Sequence, residues 1–364
     1  RYCSVAMTTG GPDAADCYVV ETDPNNPRRY RYDGGWREMS VRTEVIKIQD
    51  GDNLRARPLE FEATHHGPVV ARKDGKAYAL KLPYADQVGL VDQTYQMLLA
   101  RNLAEMKDAI RPLQLMEQNL MIATTEGDIF YVRYGRVPIR TPGYDYKRPL
   151  PGDTPKTEWQ GFHDLEELVQ LENPPQGYMQ NCNVSPQFIT KNCPLVADIW
   201  ADRPYLFNGF YGMDRRYDNP LHQRAAMCLE LLEATKEMTV EQAISIALNA
   251  QVYGANVWQA KLKKAWANAP DGLRGNERVA QLVHLILGWD GHARADSVGA
   301  IAYHYWKQQL GPDVLRADRA GFPPPPVTDE QLLTRLKPAV EKLLADHGRL
   351  DVAYGDVYRV GRQG

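Results

Sequence analysis

The chain has 364 residues, 43% of them hydrophobic, which is enough to bury a large core in one big domain or about two or three small ones. The formal net charge of −3 excludes the strongly basic surface of nucleic-acid-binding proteins and of proteins that bind anionic membranes. No apolar run of about 18 residues occurs, which excludes a transmembrane helix.

Residues 1–135 have the patterns of a β-rich region. The short apolar run Cys17–Glu21 is followed by Val41–Ile48, whose alternation predicts a strand with one solvated face. Two hairpins are predicted at the turn sequences Asp33–Gly35 and Glu126–Asp128, each between strand-forming residues. Between them, Gln93–Ile110 has helical periodicity.

Residues 136–220 are rich in Pro, Gly and aromatic residues and lack periodicity. A long irregular stretch in a compact protein is usually a functional loop region or a disordered segment. Its Trp, Tyr and Phe content argues against disorder. We therefore expect an ordered, aromatic loop region.

From Leu221 onward the pattern is mainly helical. Thr239 followed by Glu241 and Gln242 predicts a helix start, and the four prolines Pro323–Pro326 predict an extended spacer. Strands first and helices afterwards indicate an α+β architecture. The predicted helices are Leu221–Thr235, Val240–Gln251, Arg278–Leu287, Ser297–Leu310 and Asp329–Asp346.

The five cysteines form neither a CxxC pair nor a Cys/His cluster at zinc spacing. An odd number is compatible with one disulfide bridge or with none. Cys182 and Cys193 are close enough in sequence to close a small loop. We favour unbridged thiols, because irregular loops often hold buried cysteines without a bridge.

Four segments, in this order, carry a resemblance to a known family. They are TTGGPDAADCYVVE (Thr8–Glu21), EFEATHHGPVV (Glu60–Val70), a stretch from Gly127–Arg140 through Gly143–Gly152 to Glu158–Gly161, and NPPQGYMQNCNVSPQ (Asn173–Gln187). The helical stretch from Arg224, the turn Trp289–Gly291 and the final Gly355–Gly364 also fit. Together these motifs resemble the penicillin acylase family of N-terminal-nucleophile hydrolases over nearly the whole chain.

The resemblance implies an α+β fold, the four-layer αββα core of N-terminal-nucleophile hydrolases with helical elaboration. It also implies that residues 1–364 are a single fragment of the family's large subunit. Within it we expect a β-rich core at 1–135, a loop region with the catalytic Asn at 136–220, and a mainly helical part at 221–364. Gly355–Gly364 resembles a segment that continues into the rest of that subunit.

The family's nucleophile has no counterpart in this sequence. Its large subunit begins with a Ser whose own α-amine takes the proton from the hydroxyl, and family spacing puts that Ser upstream of Arg1. Cys3 or Ser4 would need cleavage just before them, and both lie where the family has an interior strand. The chain has neither an initiator Met nor a signal-peptide pattern at its start. We therefore expect an internal piece that begins downstream of its gene's start and is inactive alone.

Amide hydrolysis passes through a tetrahedral oxyanion and needs donors aimed at it. The resemblance makes Asn183 the oxyanion-hole Asn and Thr9 the residue that lends its main-chain N–H. Val184 stands where relatives usually have a second Asn. The alternatives are an Asn that satisfies a loop backbone and a simple glycine turn at Gly10–Gly11.

The resemblance assigns Arg224 to orienting the nucleophile's terminal amine and the catalytic Asn. A nearby guanidinium also disfavours the ammonium form of that amine. The alternative is a surface arginine on a helix. Arg215 and Arg216 are close enough in sequence to be mistaken for it.

A structural calcium site is also implied. Asp13 and Asp16 match its carboxylate ligands, and the carbonyls of Ala15 and Tyr146 match further ligands of the hard-oxygen type that Ca²⁺ prefers. The alternative is that Asp13 caps a turn after Pro12. A later Asp ligand has two candidates, Asp198 and Asp202. No organic cofactor is implied.

Other polar clusters have weaker interpretations. His65 and His66 suggest a metal site or a general base. As neighbours on a predicted strand, however, their side chains should point to opposite faces, so both cannot easily bind one ion. We favour a structural role, which the resemblance implies for His66. Asp145 fits a turn. A carbohydrate enzyme would need a carboxylate pair, but no spacing singles one out among Asp145, Glu158, Asp164, Glu166 and Glu167.

Two functions follow from these patterns. The first is part of an amide hydrolase that cleaves an N-acyl bond of a small molecule through an acyl-enzyme. Family substrates include β-lactam side-chain amides, acyl-homoserine lactones and acylated lipopeptides. The resemblance therefore implies a role in antibiotic degradation or in quorum quenching. Its partners would be the small subunit and the remaining large-subunit segments, in the periplasm or outside the cell. The second is a non-catalytic module that binds a ligand or peptide through residues 136–219.

Overall fold

The structure is a computed structural model that describes residues 2–207, 221–315, 326–359 and 361. The chain divides into two compact units, Arg1–Asp214 and Arg215–Gly364. It combines helices with sheets, as the α+β prediction requires. Arg215, Arg216 and most of the predicted proline spacer lie outside the described residues.

The first unit contains two β-sheets. Their strands are β1 Cys3–Thr8, β2 Asp16–Asp23, β3 Asn26–Tyr32, β4 Gly35–Glu38, β5 Ser40–Asp50, β6 Asn53–Thr64, β7 Gly67–Lys73, β8 Lys76–Lys81, β9 Gln118–Thr124, β10 Ile129–Tyr134, β11 Leu150–Pro151 and β12 Gln170–Glu172. One sheet has the order β1-β9-β10-β12, and all its pairs are antiparallel. The other has the order β4-β3-β2-β8-β7-β6-β5, with β11 parallel to β2.

Both predicted hairpins are confirmed. The first joins β3 to β4, and its turn residues Asp33 and Gly34 have φ angles of 45° and 78°. Two positive φ angles are the geometry of the turn that matches strand twist. The second joins β9 to β10, with Ile129 opposite Ala123.

The predicted strand Val41–Ile48 forms most of β5, but the prediction of one solvated face is wrong. β5 pairs with β6 from Ser40 to Asp50, whereas β6 pairs with β7 only at Ala63 and Thr64. Nearly all side chains of this ribbon are exposed, because most of β6 extends beyond its pairing with β7.

The helical periodicity of Gln93–Ile110 corresponds to two helices, α1 Leu90–Leu99 and α2 Leu103–Ile110. The Asn102 side chain begins α2 by accepting a hydrogen bond from the Glu105 N–H, which satisfies one unpaired donor of its first turn. The core of this unit includes buried side chains from α2, β9, β10 and the loop region, among them Ile110, Leu120, Phe130, Tyr131, Tyr134, Val169 and Ile189.

The described part of the loop region is irregular in secondary structure, as predicted. Beyond β11, β12 and the short helix α3 Pro204–Phe207, it has only single 3-10 turns. Its apolar side chains, such as Leu165 and Ile189, are buried. The five cysteines form no disulfide bridge, in agreement with the preference for unbridged thiols.

The regular elements described in the second unit are helices, and one isolated β-bridge joins Gln251 to His292. Its helices are α4 Gln223–Glu233, α5 Val240–Ala247, α6 Ala255–Ala267, α7 Asp271–Arg274, α8 Glu277–Leu287, α9 Val298–Gln308, α10 Asp329–Thr334, α11 Leu336–His347 and α12 Tyr354–Val357. Thr239 and Gln242 form the predicted start of α5 as a capping box. The predicted helix Asp329–Asp346 is divided at Arg335. Of the described helices, none is long and apolar enough for a membrane span.

Helix α6 was not predicted, although it supplies the centre of the second core. Its Trp258 is fully buried and contacts Trp306 of α9 edge-to-face, with ring centroids 6.4 Å apart. The Trp306 indole N–H donates to the Leu332 carbonyl at 3.1 Å, so its polar atom is satisfied inside the core.

Candidate active site beside Thr9

The structure brings Asn183 and Thr9 together. The Asn183 side-chain N–H donates to the Thr9 carbonyl at 2.8 Å, across 174 positions of sequence. Asn183 has a φ angle of 64°, a left-handed conformation that Asn tolerates better than most residues. Both residues are exposed, so the contact lies at the surface of the first unit.

Asn181 holds this loop in place. Its side-chain oxygen Oδ1 accepts a hydrogen bond of 2.6 Å from the Thr8 hydroxyl and one of 2.8 Å from the Asn183 backbone N–H. The family motif drew attention to Asn183 alone. The Asn-x-Asn spacing is the signal for Asn181, because an Asn side chain commonly bonds the backbone two residues on. Val184 is buried, at 2% exposure.

Two glycines let the chain turn immediately after Thr9. Gly10 has a φ angle of 120°, and a β-carbon there would lie 3.0 Å from the Asn119 amide nitrogen. At Gly11 a β-carbon would lie 2.5 Å from the Gln118 nitrogen. The close approach of this turn to β9 therefore requires residues without side chains.

Buried polar side chains of β9 and β10 hydrogen-bond to the turn that follows Thr9. The Asn119 amide donates to the Thr9 carbonyl at 3.2 Å, and its own oxygen accepts a hydrogen bond from the Tyr131 hydroxyl at 2.8 Å. Arg133 donates to the Gly11 carbonyl at 3.1 Å. Burial raises the pKa of Tyr131 to about 12 and lowers the pKa of Arg133. Thr9 thus receives hydrogen bonds from two amide side chains, Asn119 and Asn183.

A cavity of about 460 Å³ opens beside this turn. That volume is within the range of small-molecule sites. Its lining is mainly apolar and comprises Thr9–Ala15, Leu82–Ala85, Met116 and Glu117. Burial, with a smaller contribution from Asp13, raises the pKa of Glu117.

Arg224 belongs to the second compact unit, so it is described apart from Asn183 and Thr9. It is an exposed residue in the first turn of α4, directly after Gln223. Its role in orienting a terminal amine stays a prediction.

The predicted calcium ligands surround a buried arginine, Arg140. Its guanidinium donates to both oxygens of Asp16 at 3.0 Å, to the Asp13 carbonyl at 2.9 Å and to the Ala15 carbonyl at 3.4 Å. The Tyr146 ring lies 5.1 Å from its central carbon. The sequence patterns did not single out Arg140, although an arginine between Ile139 and Thr141, in a stretch with Pro138 and Pro142, is a usable signal.

These residues fit a hard cation only in part. Both Asp16 oxygens already accept N–H donors from Arg140, and Oδ2 also accepts the Trp159 indole N–H at 2.7 Å. The Asp13 carboxylate is less well compensated, at 3.5 Å from Arg140. Burial raises the pKa of Asp13, although Arg140 acts to lower it. Asp13 is therefore the carboxylate that would gain most from a divalent ion.

Asp13 also lines a second cavity, of about 540 Å³, together with Tyr146 and Asp202. Of the two candidates for a later ligand, Asp202 thus lies beside the predicted site. Asp198 lies in a 3-10 turn, Ala197–Trp200, and is absent from the described lining of this cavity.

The prediction that His65 and His66 point to opposite faces is wrong. Both lie in the turn between β6 and β7 rather than within a strand, and their ring centroids are 3.8 Å apart. The alternation of side chains along a strand does not apply at such a turn. Asp145 is a turn residue as expected, since its carboxylate accepts the Lys147 N–H at 3.1 Å.

Three of the carboxylates considered for a carbohydrate enzyme have a cationic or imidazole partner. Glu158 bonds Lys81, Glu166 bonds Arg111, and Glu167 bonds His163.

Comparisons with known proteins find a matching family model and similar sequences. The model described as penicillin amidase matches residues 1–358. Penicillin G acylase of Escherichia coli is 28% identical over 292 residues, which is 79% of this chain and 31% of that protein. Penicillin acylase 2 proenzyme of Pseudomonas sp. (strain SE83) is 26% identical over 85% of this chain and 36% of its own length. Acyl-homoserine lactone acylase QuiP of Pseudomonas fluorescens is 24% identical over 80% and 34%, respectively.

The chain thus spans about a third of the length of the curated relatives it matches. Among solved structures, the thermostable penicillin G acylase from Alcaligenes faecalis has a similar fold. The TM-score is 0.64, with 20% identity, over 95% of this chain and 68% of that chain.

Proposed function

Since the chain belongs to the penicillin amidase family, we propose that it forms part of an amide hydrolase that cleaves an N-acyl bond. Its relatives are penicillin acylases and acyl-homoserine lactone acylases. The observation that carries the proposal is the contact of Asn183 with Thr9, a residue that lines the 460 Å³ cavity.

In this proposal Asn183 and Thr9 stabilise the oxyanion of the tetrahedral intermediate. The bond to the Thr9 carbonyl fixes the Asn183 side-chain amide beside Thr9. This amide and the Thr9 backbone N–H would donate to the developing negative charge. Fixed, uncharged donors suit this role because they need little reorganisation during the reaction.

The nucleophile comes from outside these 364 residues. By family resemblance it is an N-terminal Ser whose α-amine accepts the hydroxyl proton, and Arg224 orients that amine. The partners are then a small subunit and the remaining segments of the large subunit. The proposal includes the four-layer αββα arrangement and an exported location, periplasmic or secreted, both by family resemblance. The isolated chain should be inactive.

The cavity beside Thr9 is proposed to take the acyl group. Its lining is mainly apolar, from Pro12 and Ala14 on one side to Leu82 and Met116 on the other. Burial of an apolar acyl chain there is favourable, at roughly 25 cal/mol for each Å² removed from water. The substrate class is therefore an amide with an apolar acyl group.

Calcium is the proposed metal, with a structural role. The Asp13 carboxylate and the carbonyls of Ala15 and Tyr146 would hold it, whereas Asp16 would have to exchange contacts with Arg140. When bound, such an ion neutralises buried negative charge and joins chain segments. No step of amide hydrolysis is assigned to it.

The test is an activity measurement on the complete protein. The whole precursor is expressed, its chains are identified by mass spectrometry, and hydrolysis of a chromogenic N-acyl amide is followed. We expect turnover by the assembly with an N-terminal Ser and none by the 364-residue chain alone. An unbroken gene product without that Ser that still binds N-acyl compounds would favour the non-catalytic binding module instead.

A further inference from the structure

A second polar cluster lies apart from Asn183 and Thr9, at the turn between β6 and β7. It consists of His65, His66 and Glu158, and one nitrogen or oxygen atom from each lies within 4.8 Å of the others. Within the described ranges this is the one group of three His, Cys, Asp or Glu side chains so closely placed. The proposed amide hydrolysis makes no use of it.

His66 directs its unprotonated nitrogen, Nδ1, toward the cluster. Its Nε2 lies 2.9 Å from the Gly152 carbonyl, which can only accept, so Nε2 carries the ring proton. Nδ1 then holds a lone pair, is buried and has no hydrogen-bond partner. Burial lowers the pKa of His66 to about 4, so the ring is neutral at pH 7. Tyr18 stacks on this ring at 3.9 Å and fixes its plane.

Glu158 and His65 face the same point. The Glu158 Oε1 atom lies 3.5 Å from His66 Nδ1 and 2.9 Å from His65 Nε2. The other nitrogen of His65 is held by the Tyr30 hydroxyl at 2.8 Å. In each histidine, the ring nitrogen that faces away from the cluster is therefore bonded to an oxygen: Nδ1 in His65 and Nε2 in His66. Histidines that bind metals are oriented in this way.

We propose that His65 Nε2, His66 Nδ1 and Glu158 Oε1 form a binding site for a divalent transition-metal ion of the Zn²⁺ class. Two imidazole nitrogens and one carboxylate oxygen are a ligand set that Zn²⁺ uses with an open fourth position. His66 is fully buried, whereas the side chains of His65 and Glu158 are 26% and 22% exposed, so an ion can enter past them.

Lys81 is the competing cation. Its ammonium lies 2.7 Å from Glu158 Oε2, the oxygen turned away from His65. Glu158 can therefore keep this contact while Oε1 binds a metal. The positive charge nevertheless disfavours a second cation close by. Removal of that charge should therefore strengthen metal binding.

A bound ion would tie the β6–β7 turn to the loop that carries Glu158. The next residue, Trp159, donates to Asp16 at 2.7 Å. The metal would thus stabilise the same loop that holds Asp16, and its role would be structural.

The test is a titration of the complete, metal-stripped protein with Co²⁺, followed by visible absorption, and then displacement by Zn²⁺. Excess Ca²⁺ stays in the buffer so that any hard-cation site is saturated. We expect one equivalent of Co²⁺ in a low-symmetry nitrogen–oxygen environment. His65→Ala should weaken binding about tenfold or more, because it removes one of three ligands.

Two further variants make the result specific. His292→Ala is the matched control, because His292 also lies beside a carboxylate, 3.6 Å from Asp290, but belongs to no described three-ligand group. It should bind as the wild type does. Lys81→Met should bind roughly fivefold more tightly, since a partly exposed charge contact is worth up to about 1 kcal/mol. A gain of affinity cannot result from misfolding.

Absence of Co²⁺ and Zn²⁺ binding by the wild type would overturn the proposal. So would equal affinity in His65→Ala, an equal loss in His292→Ala, or weaker binding by Lys81→Met. None of these results depends on amide hydrolysis, so they leave the proposed function untouched.

Discussion

The side-chain amide of Asn183 donates a hydrogen bond of 2.8 Å to the main-chain carbonyl of Thr9. This bond joins the loop region to the end of β1. Asn181 secures the loop side and Asn119 secures the turn side, each through hydrogen bonds of its own. A donor held from both sides is the kind of group that can stabilise charge without reorganisation.

Asn183→Ala in the complete enzyme should lower kcat by about 10²–10³, because it removes one of the two proposed oxyanion donors. Asn192→Ala is the matched control. Asn192 lies in the same loop region with a similar φ angle of 51°, so both variants incur the same backbone strain. Steady-state kinetics and thermal unfolding are measured on both. A wild-type rate in Asn183→Ala would remove Asn183 from the mechanism.

Thr8→Val should lower kcat roughly fivefold with little change in KM. The substitution removes the 2.6 Å hydrogen bond to the Asn181 oxygen, which also accepts the Asn183 N–H. A hydrogen bond of this kind contributes on the order of 1 kcal/mol to positioning. Thr8→Ser keeps the hydroxyl and should retain the wild-type rate. Equal rates in Thr8→Val and Thr8→Ser would contradict this role of Asn181.

Ala85→Phe should raise KM about tenfold for a long apolar acyl group and leave a short acyl group unaffected. Ala85 lines the cavity beside Thr9, so a larger side chain removes space there. Val88→Phe is the control, since Val88 is 94% exposed and outside the described lining of that cavity. KM is compared across a series of acyl lengths. A uniform change for all lengths would speak against an acyl pocket at this position.

Arg140→Met should destabilise the protein by about 3–5 kcal/mol, because it leaves Asp13 and Asp16 buried without their cation. The free energy of unfolding is measured in urea. Arg203→Met is the control, since this arginine is 38% exposed and should contribute at most about 1 kcal/mol.

The same variant tests the calcium proposal. Excess Ca²⁺ should restore part of the stability of Arg140→Met, because a divalent ion at Asp13 replaces the lost charge, whereas Mg²⁺ should restore less. Identical unfolding curves with Ca²⁺ and with a chelator, in both wild type and variant, would refute calcium binding.

Glu117→Gln should stabilise the protein at pH 7, and the gain should disappear as pH falls below 4.5. Burial raises the pKa of Glu117 above its ordinary value of 4.5, so the folded state binds the proton more tightly than the unfolded state. Stability from this group is therefore fully present below pH 4.5 and is lost as pH rises through the folded-state pKa. Urea unfolding at pH 4 and pH 7 measures it, with the exposed Glu126→Gln as control. Equal shifts for both variants would exclude a special state of Glu117.

Local structure was largely predictable from the sequence. The turn at Asp33–Gly34 and the capping box at Thr239 depend on residues only a few positions apart, so their chemistry is readable without the fold. The division of Gln93–Ile110 at Asn102 was also readable, since Asn is a favoured helix start. Helix α6 was missed, although Ala255, Trp258, Leu262 and Ala265 repeat at helical spacing.

By itself, the sequence determined the family, the local turns and helices, and the candidates Asn183 and Thr9, because these follow from motif order and short-range chemistry. Only the tertiary structure decided which residues that are far apart in sequence come into contact. Arg140 bonds Asp16, 124 positions away in sequence, and His65 bonds Glu158, 93 positions away. Such contacts depend on how strands and loops pack, and a side chain in a turn or loop obeys no fixed period. Charge partners and ligand geometry therefore became visible only in the folded chain.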